Sequence, residues 1–408
     1  MQSDCKFVQK VVISGMIERT LRAKLQEMKG KFPVCFLTGP RQSGKTTLLR
    51  AEVNDLPYVS LEDPDIRAIA LQDPRGFLEQ FPEGAVFDEA QRAPELFSYI
   101  QGRVDENPRL RYYLSGSQNF LLSEKITQSL AGRTLVLHLL PLSLEELKGA
   151  GIDFPSFESP LFRGHYPRIY DRKLTPGDFY PSYVESYVER DVRQMKNIGD
   201  LEAFFRFLRL CAGRIGQPVN LNSLAQDAGI AANTAKSWLS VLQASFILFW
   251  LQPHFRNFSK RLIKSPKLYF YDSGLLCYLL GLEAEAQLFT HYLRGNLFEN
   301  FVLAELLKYR LHRGRPSNLY FWLDKNRREI DCLIESGESL RPVEVKSGKT
   351  LLDSYFENIR AWNHLSGNPA GNSFAVYGGD KTMNLPSGRL LSWRDMLQVF
   401  DAQSPSLP

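Results

Sequence analysis

Gly39-Pro40-Arg41-Gln42-Ser43-Gly44-Lys45-Thr46 fits G-x-x-x-x-G-K-[ST] at every fixed position. An apolar run, FPVCFLTG, precedes it, and TTLLRAE with the helical periodicity of an amphipathic segment follows it. Glycines at those spacings let backbone N–H groups curl round phosphate oxygens, and the following helix adds its positive end. Lys45 is then placed to meet the terminal phosphates, and Thr46, with Thr47 beside it, to offer a hydroxyl to Mg²⁺ or phosphate. A second apolar run, Val86-Phe87, ends in Asp88 and Glu89. Asp88 is expected in the Mg²⁺ shell, and Glu89 is expected to polarise an attacking water. The two elements together predict ATP and Mg²⁺ as ligands.

A different chemistry is written near the other end, in EIDCLIESGESLRPVEVKSG. Strand alternation puts Val343 and Val345 on one side of PVEVKS, with Glu344 and Lys346 on the other. Asp331 lies on the preceding strand, and the same alternation sends Ile330, Cys332 and Ile334 to its opposite face. Asp331, Glu344 and Lys346 can therefore converge on one face of a hairpin. Glu299, from the helical stretch GNLFENFVLAEL, is the candidate fourth member. Carboxylates so grouped collect Mg²⁺, and a lysine beside them orients water for phosphodiester attack. This is the pattern of the PD-(D/E)xK nuclease fold. A domain of that shape that binds and cuts nothing fits the same residues, as does a plain Lys–Glu surface pair.

Between these ends, LNSLAQDAGI and NTAKSWLSVLQAS read as a helix-turn-helix, with Asn233 or Thr234 capping the second helix and Lys236 and Ser237 on its exposed face. Arg256, Lys260, Arg261, Lys264 and Lys267, with Phe255 and Phe258 interleaved, could form a wing and a phosphate-contacting patch. A winged helix serves equally as a protein-binding module. Asp272, between an apolar strand and the next helix, is expected to be an N-cap.

The elements needed to hold these groups alternate strand and helix. The fold class expected is α/β. A parallel P-loop sheet covers residues 1–150, a connector with helical, winged-helix-like structure covers 151–285, and a restriction-endonuclease-like α/β domain covers 286–408. The chain has 408 residues and a formal net charge of +5, which permits a DNA or RNA partner without demanding one. Its five cysteines show no metal or disulfide spacing, which suits a reducing cytoplasm. The start MQSDCKFVQKVVISGM lacks signal-peptide character, and FILFWL is too short to span a bilayer.

The stretches LTGPRQSGKTTLL, VFDEAQRAPELF, YYLSGSQNFLL, SLAGRTLVLHLLPLSLEEL, YVESYVERDV, LYFYDSGLLCYLLG, GNLFENFVLAEL, REIDCLI and PVEVKSG run through nearly the whole chain. Together they resemble a large prokaryotic family of AAA-type ATP-binding proteins that end in a domain of unknown function 4143. GMIERTLRAKL is a loose version of the basic opening usual in that family. The resemblance implies nucleotide residues at Gly39, Gly44, Lys45, Thr46, Asp88 and Glu89, and nuclease-like residues at Glu299, Asp331, Glu344 and Lys346. In such ATPases a polar residue ending the next strand meets the γ-phosphate or the water. Ser117 or Gln118 could serve, or Ser117 could be an ordinary cap. Arg133 stands where such ATPases place an arginine that completes a neighbouring copy's site. The alternative is a solvated surface arginine.

Two function classes follow. One is an ATPase coupled to a nucleic-acid-processing module, with a homo-oligomer implied if Arg133 acts across a boundary. The other is an ATP-dependent switch whose C-terminal domain binds a protein partner without cleavage.

Overall fold

The computed structural model describes residues 16–117, 130–188, 200–254, 265–324 and 326–401. Five strands, β1 (Val34–Thr38), β2 (Tyr58–Ser60), β3 (Gly84–Asp88), β4 (Arg111–Gly116) and β5 (Thr134–His138), form a parallel sheet in the order β2-β3-β4-β1-β5. β1 and β3, which lead into the phosphate loop and the acidic pair, are buried at every position. Such unbroken apolar runs are what a sheet covered on both faces requires. Helices fill both faces, and two apolar clusters built from residues between Leu21 and Leu139 hold them.

The middle region is helical: Leu201–Ala212, Leu221–Ala228 and Ala232–Ala244 follow one another. Asp200 and Asn220 cap the first two by accepting backbone N–H groups. The third starts from Ala231 with no side-chain cap, and Asn233 and Thr234 lie inside it, which corrects the capping expectation. An antiparallel ribbon follows, β6 (Leu248–Pro253) with β7 (Lys267–Phe270). Residues Phe255, Arg256, Phe258, Lys260, Arg261 and Lys264 lie outside the described residues.

The ribbon does not stay with its own helices. β6 pairs in parallel with β8 (Leu319–Leu323), through Gln252 with Tyr320 and Pro253 with Phe321. It thereby joins β9 (Glu329–Ser336), β10 (Ser339–Lys346), β11 (Phe374–Tyr377), β12 (Met383–Leu385) and β13 (Gly388–Ser392) in one mixed sheet, ordered β12-β13-β11-β10-β9-β8-β6-β7. The helix Arg294–Leu311 packs on this sheet, and every residue from Leu297 to Lys308 is buried. Its buried polar residues, Glu299, Asn300, Glu305 and Lys308, all carry hydrogen-bond partners there. Burying Phe298, Phe301, Leu303 and Leu306 there contributes roughly 1.5–3 kcal/mol each. The core around it runs from Leu142 to Val399, across the expected boundary at 285/286.

Candidate nucleotide site and carboxylate cluster

β1 delivers the phosphate loop at its C-terminal end. At Gly39, φ is +156° and a Cβ would stand 2.1 Å from the Leu139 carbonyl oxygen, so only glycine fits. Gly44, also at positive φ, opens the helix Lys45–Glu52. Lys45 is buried, and its ammonium donates to the carbonyls of Gly39 at 3.0 Å and Pro40 at 2.8 Å. Ser43 is buried, while Arg41, Gln42, Thr46 and Thr47 are half-buried along the same loop and first turn. The Thr46 hydroxyl donates to Asp88 Oδ2 at 2.6 Å, so the loop and the acidic strand meet. This pair fits a Mg²⁺ site: hydroxyl and carboxylate oxygens are hard donors, and phosphate and water would complete the shell.

Asp88 is held from three further sides. Tyr58 donates to Oδ2, Ser115 donates to Oδ1, and the Glu89 N–H reaches Oδ1 at 3.1 Å. Glu89 adopts a left-handed backbone, φ +54°, uncommon outside glycine and frequent at working positions. Its carboxylate accepts from Gln91 Nε2, which also lies 3.4 Å from Ser117 Oγ. Ser117 is thus brought to the acidic pair, and Gln118 lies outside the described residues. Ser115 and Gln91 were not picked out from sequence, although both stand in the quoted motifs.

Arg133 is elsewhere. Its carbonyl meets the Val34 N–H, at the beginning of β1, whereas the phosphate loop follows the end of that strand. Five strand residues separate the two ends, roughly 17 Å. Its guanidinium pairs with Asp105 through Nε and Nη2. It does not reach the nucleotide loop of its own chain.

Arg19 does, and no local pattern marked it. Its Nη1 donates to the Ser43 carbonyl in the loop, Nη2 to Leu140 O at 2.6 Å, and Nε pairs with Glu146 at 3.1 Å. Glu146 in turn faces His312 Nδ1 at 3.4 Å, and His312 Nε2 accepts the Leu140 N–H at 3.2 Å. Burial alone would raise the Glu146 pKa, but Arg19 and His312 hold it well below the usual carboxylate value. Beside it, Lys308 donates to Leu142 O at 3.0 Å and to Glu305 at 2.7 Å, and Glu305 accepts the Leu144 N–H at 2.7 Å. The far end of the helix Arg294–Leu311 is thereby fastened to the segment that follows β5.

Near the other end of that helix stands Glu299. Its Oε1 accepts from Tyr269, and Lys267 Nζ lies 3.2 Å away. Lys267 also pairs with Glu329. A few residues on, β9 and β10 pair only as far as Cys332 with Val343. Beyond that fork the Asp331 carboxylate stands in for a ladder carbonyl and accepts the Val345 N–H at 2.8 Å. Lys346 Nζ sits 3.5 Å from Asp331 and pairs closely with Glu344. Asp331, Glu344 and Lys346 are brought together, as expected, but by a fork rather than by plain alternation. A register shift between β8 and β9 moves Ile330 to the Leu333 and Trp362 side, away from Cys332 and Ile334, which corrects the single-face expectation.

Burial pushes the Glu299 carboxyl up to about 7, against the pull of Lys267 and with the help of Asp331. Burial and Asp331 raise Glu344 well above its ordinary value, against Lys346. Glu344 is 1% exposed, and its Oε1 has no hydrogen-bond partner. Hard oxygen donors of this kind suit a divalent cation. Yet among the described residues no three His, Cys, Asp or Glu side chains stand together as a metal-holding group. Two ammonium groups, Lys267 and Lys346, stand among Glu299, Asp331 and Glu344, the carboxylates expected to hold Mg²⁺. Lys267 is itself a correction. It is 2% exposed and turned into the cluster, not part of an exposed basic patch. Glu329 and Tyr269 are members that spacing alone did not reveal. Asp272 caps the helix Ser273–Leu279 as expected, and additionally accepts from Tyr180 and the His165 N–H.

Residues 31–148 match the family described as "AAA domain", residues 155–286 a "Domain of unknown function (DUF8612)", and residues 294–396 a "Domain of unknown function (DUF4143)". An uncharacterized protein of Mycobacterium tuberculosis is 29% identical over 347 residues, 84% of this chain and 76% of its own length. One of Methanocaldococcus jannaschii is 25% identical over 364 residues, covering 81% and 77%. Among solved structures, a Walker-type ATPase of Pyrococcus abyssi shares 17% identity at a TM-score of 0.41, over 65% of this chain and 96% of that one. No helix among the described residues is long and apolar enough to cross a membrane. An AAA domain is thus found in the first part of the chain and a DUF4143 domain in the last.

Proposed function

We propose that this chain is a Mg²⁺-dependent ATPase whose nucleotide cycle controls a nuclease-like, nucleic-acid-binding module at its C-terminal end. The observation that carries the coupling is the helix Arg294–Leu311. Glu299 lies near its start; towards its end Glu305 and Lys308 bond to the backbone of Leu144 and Leu142, and the following His312 is linked through Glu146 and Arg19 to the Ser43 carbonyl. Glu299 and His312 are separated by about 20 Å along a rigid helix.

In the nucleotide reaction, Lys45 exchanges its two backbone carbonyls for phosphate oxygens. Thr46 and Asp88 hold Mg²⁺, which when bound draws charge from the phosphates. Glu89, oriented by Gln91, accepts hydrogen from the attacking water, and Ser117 assists from the neighbouring strand. Arg133 serves a neighbouring copy, stabilising transition-state charge from across a subunit boundary. In the C-terminal module the carboxylates of Glu299, Asp331 and Glu344 would hold the cation, and Lys346 would orient the water. The helices Leu221–Ala228 and Ala232–Ala244 with the β6–β7 ribbon act as a winged helix that guides nucleic acid to it.

The test is Mg²⁺- or Mn²⁺-dependent cleavage of a mixed DNA and RNA panel, with and without ATP, alongside phosphate release. Wild type is compared with the Asp331→Ala plus Lys346→Ala double variant. Cleavage that depends on ATP and disappears in the double variant supports the reading. ATP hydrolysis without cleavage or nucleic-acid binding moves the conclusion to the second reading, a switch that binds a protein partner. The lysines closing the carboxylate pairs favour that second reading.

A further inference from the structure

Lys267 begins β7 in the middle region, yet its ammonium lies among side chains of the C-terminal sheet. It gets there because β7 pairs with β6 and β6 continues into β8. A second middle-region segment closes over the same spot. The Gly216 N–H donates to Leu268 O at 2.9 Å, and φ there is +71°. A Cβ on Gly216 would stand 3.4 Å from Glu299 Oε2 and 2.9 Å from Asn296 Nδ2. Glu299 is thus covered by backbone that only glycine allows so close.

Four carboxyl groups, Glu299, Glu329, Asp331 and Glu344, stand about two ammonium groups, Lys267 and Lys346. Glu344 Oε1, buried and without a hydrogen-bond partner, leaves the cluster one unsatisfied acceptor. A divalent cation would settle this, but between Glu299 and Glu329 it meets an ammonium already in place. A tethered ammonium has an advantage over a free ion, because it loses no translational freedom on pairing.

We propose that Lys267 is an intramolecular competitor for the cation site: its ammonium holds the position between Glu299 and Glu329, and a divalent cation binds the cluster only when β7 withdraws it. This rests on the cation-binding reading of the cluster. The middle region thereby decides whether the C-terminal site is loaded, with a single side chain as the latch.

Mn²⁺ alone is the probe, titrated into the full chain without nucleotide and followed by loss of the free-ion EPR signal. Lys267→Met, which keeps the length and removes the charge, is expected to bind Mn²⁺ about tenfold or more tightly than wild type. Lys267→Arg is expected to stay weak. Binding by Lys267→Met no tighter than wild type overturns the proposal while leaving the cation site standing. If neither wild type nor either variant takes up Mn²⁺, the cation reading falls and the proposal with it. A measurement on wild type guards against a variant that does not fold. Acetylation of the Lys267 amine, read by peptide mass spectrometry, is expected to run several-fold faster with saturating Mn²⁺. Unchanged acetylation with Mn²⁺ bound overturns the proposal.

Discussion

The two ends of the molecule each hold a lysine that matters, buried at Lys45 and half-buried at Lys346, and they treat it in opposite ways. Lys45 is held by two neutral carbonyls, those of Gly39 and Pro40. Lys346 is held by two carboxylates, Asp331 and Glu344. A carbonyl contact is readily exchanged for phosphate, which offers full negative charge. A buried carboxylate contact is given up only to something of equal or greater positive charge. On the proposed reading, the front site takes an anion and the rear one a cation. The Lys346 pKa follows this logic: burial would depress it, yet Asp331 and Glu344 hold it above the ordinary lysine value.

Removing the front lysine gives the largest effect that bears on this contrast. Lys45→Ala is expected to cut ATP turnover at least about a hundredfold, measured by phosphate release; unchanged turnover would refute the site. Arg19→Ala comes next, because it takes the guanidinium from the buried Glu146 and from the Ser43 carbonyl, leaving Glu146 only the Thr20 and Ser143 N–H groups and His312. A loss of roughly 3–5 kcal/mol in urea unfolding is expected, and a loss under about 1 kcal/mol, the worth of an exposed pair, would show that Arg19 does not anchor the loop. Glu344→Gln sharpens the rear half of the comparison. It removes a crowded buried charge while keeping shape, so stability should rise by about 1 kcal/mol, read as a higher Tm. A lower Tm would mean that the Lys346 pairing outweighs the crowding.

A fourth test uses pH. His165 and His312 are both 1% exposed, and burial lowers the pKa of each. At these two side chains the unfolded chain therefore binds more protons than the folded one once pH drops below about 6.5. Their share of the stability is present in full above that value and declines as pH falls towards the depressed folded pKa values. Glu299 and Glu344, whose pKa values burial raises, act with the opposite sign over the same range, so the histidine share is read by difference: urea midpoints in His312→Gln should lose less, or gain more, than wild type as pH falls, and identical profiles would remove His312 from the account. The smallest effect is expected from Arg133→Ala, which should melt like wild type. Its kcat should fall with KM unchanged if copies assemble, and normal turnover would return Arg133 to the surface pair it makes with Asp105.

The nucleotide half was readable because its chemistry is local in sequence. Gly39 to Thr46 and Asp88-Glu89 are short runs on strands, and a strand fixes where its last residues go. Asp272 was legible for the same reason. The rear cluster was readable only where two strands neighbour each other. Asp331, Glu344 and Lys346 were found, but the fork and the register shift that aim them leave no mark in an alternating pattern. Lys267 looked like one more cation in a basic run, because nothing local says that β6 crosses into another sheet. Arg19, Glu146 and His312 meet across separations of more than a hundred residues, and each alone looks like an ordinary surface charge. β2, three residues long, falls below any periodicity signal.

The core shared between Leu142 and Val399 has a consequence for how the chain is made. The front sheet is held by clusters whose members all precede Leu140, so it can close while the rest is still being synthesised. The middle helices have no such independence, since the helix Arg294–Leu311 that completes their core emerges later. Until it does, the helix Ser273–Leu279 and β7, against which it packs, have only part of their cover. A nascent chain halted before residue 294 would hold a finished nucleotide domain followed by an exposed apolar surface, the kind of segment that chaperones retain.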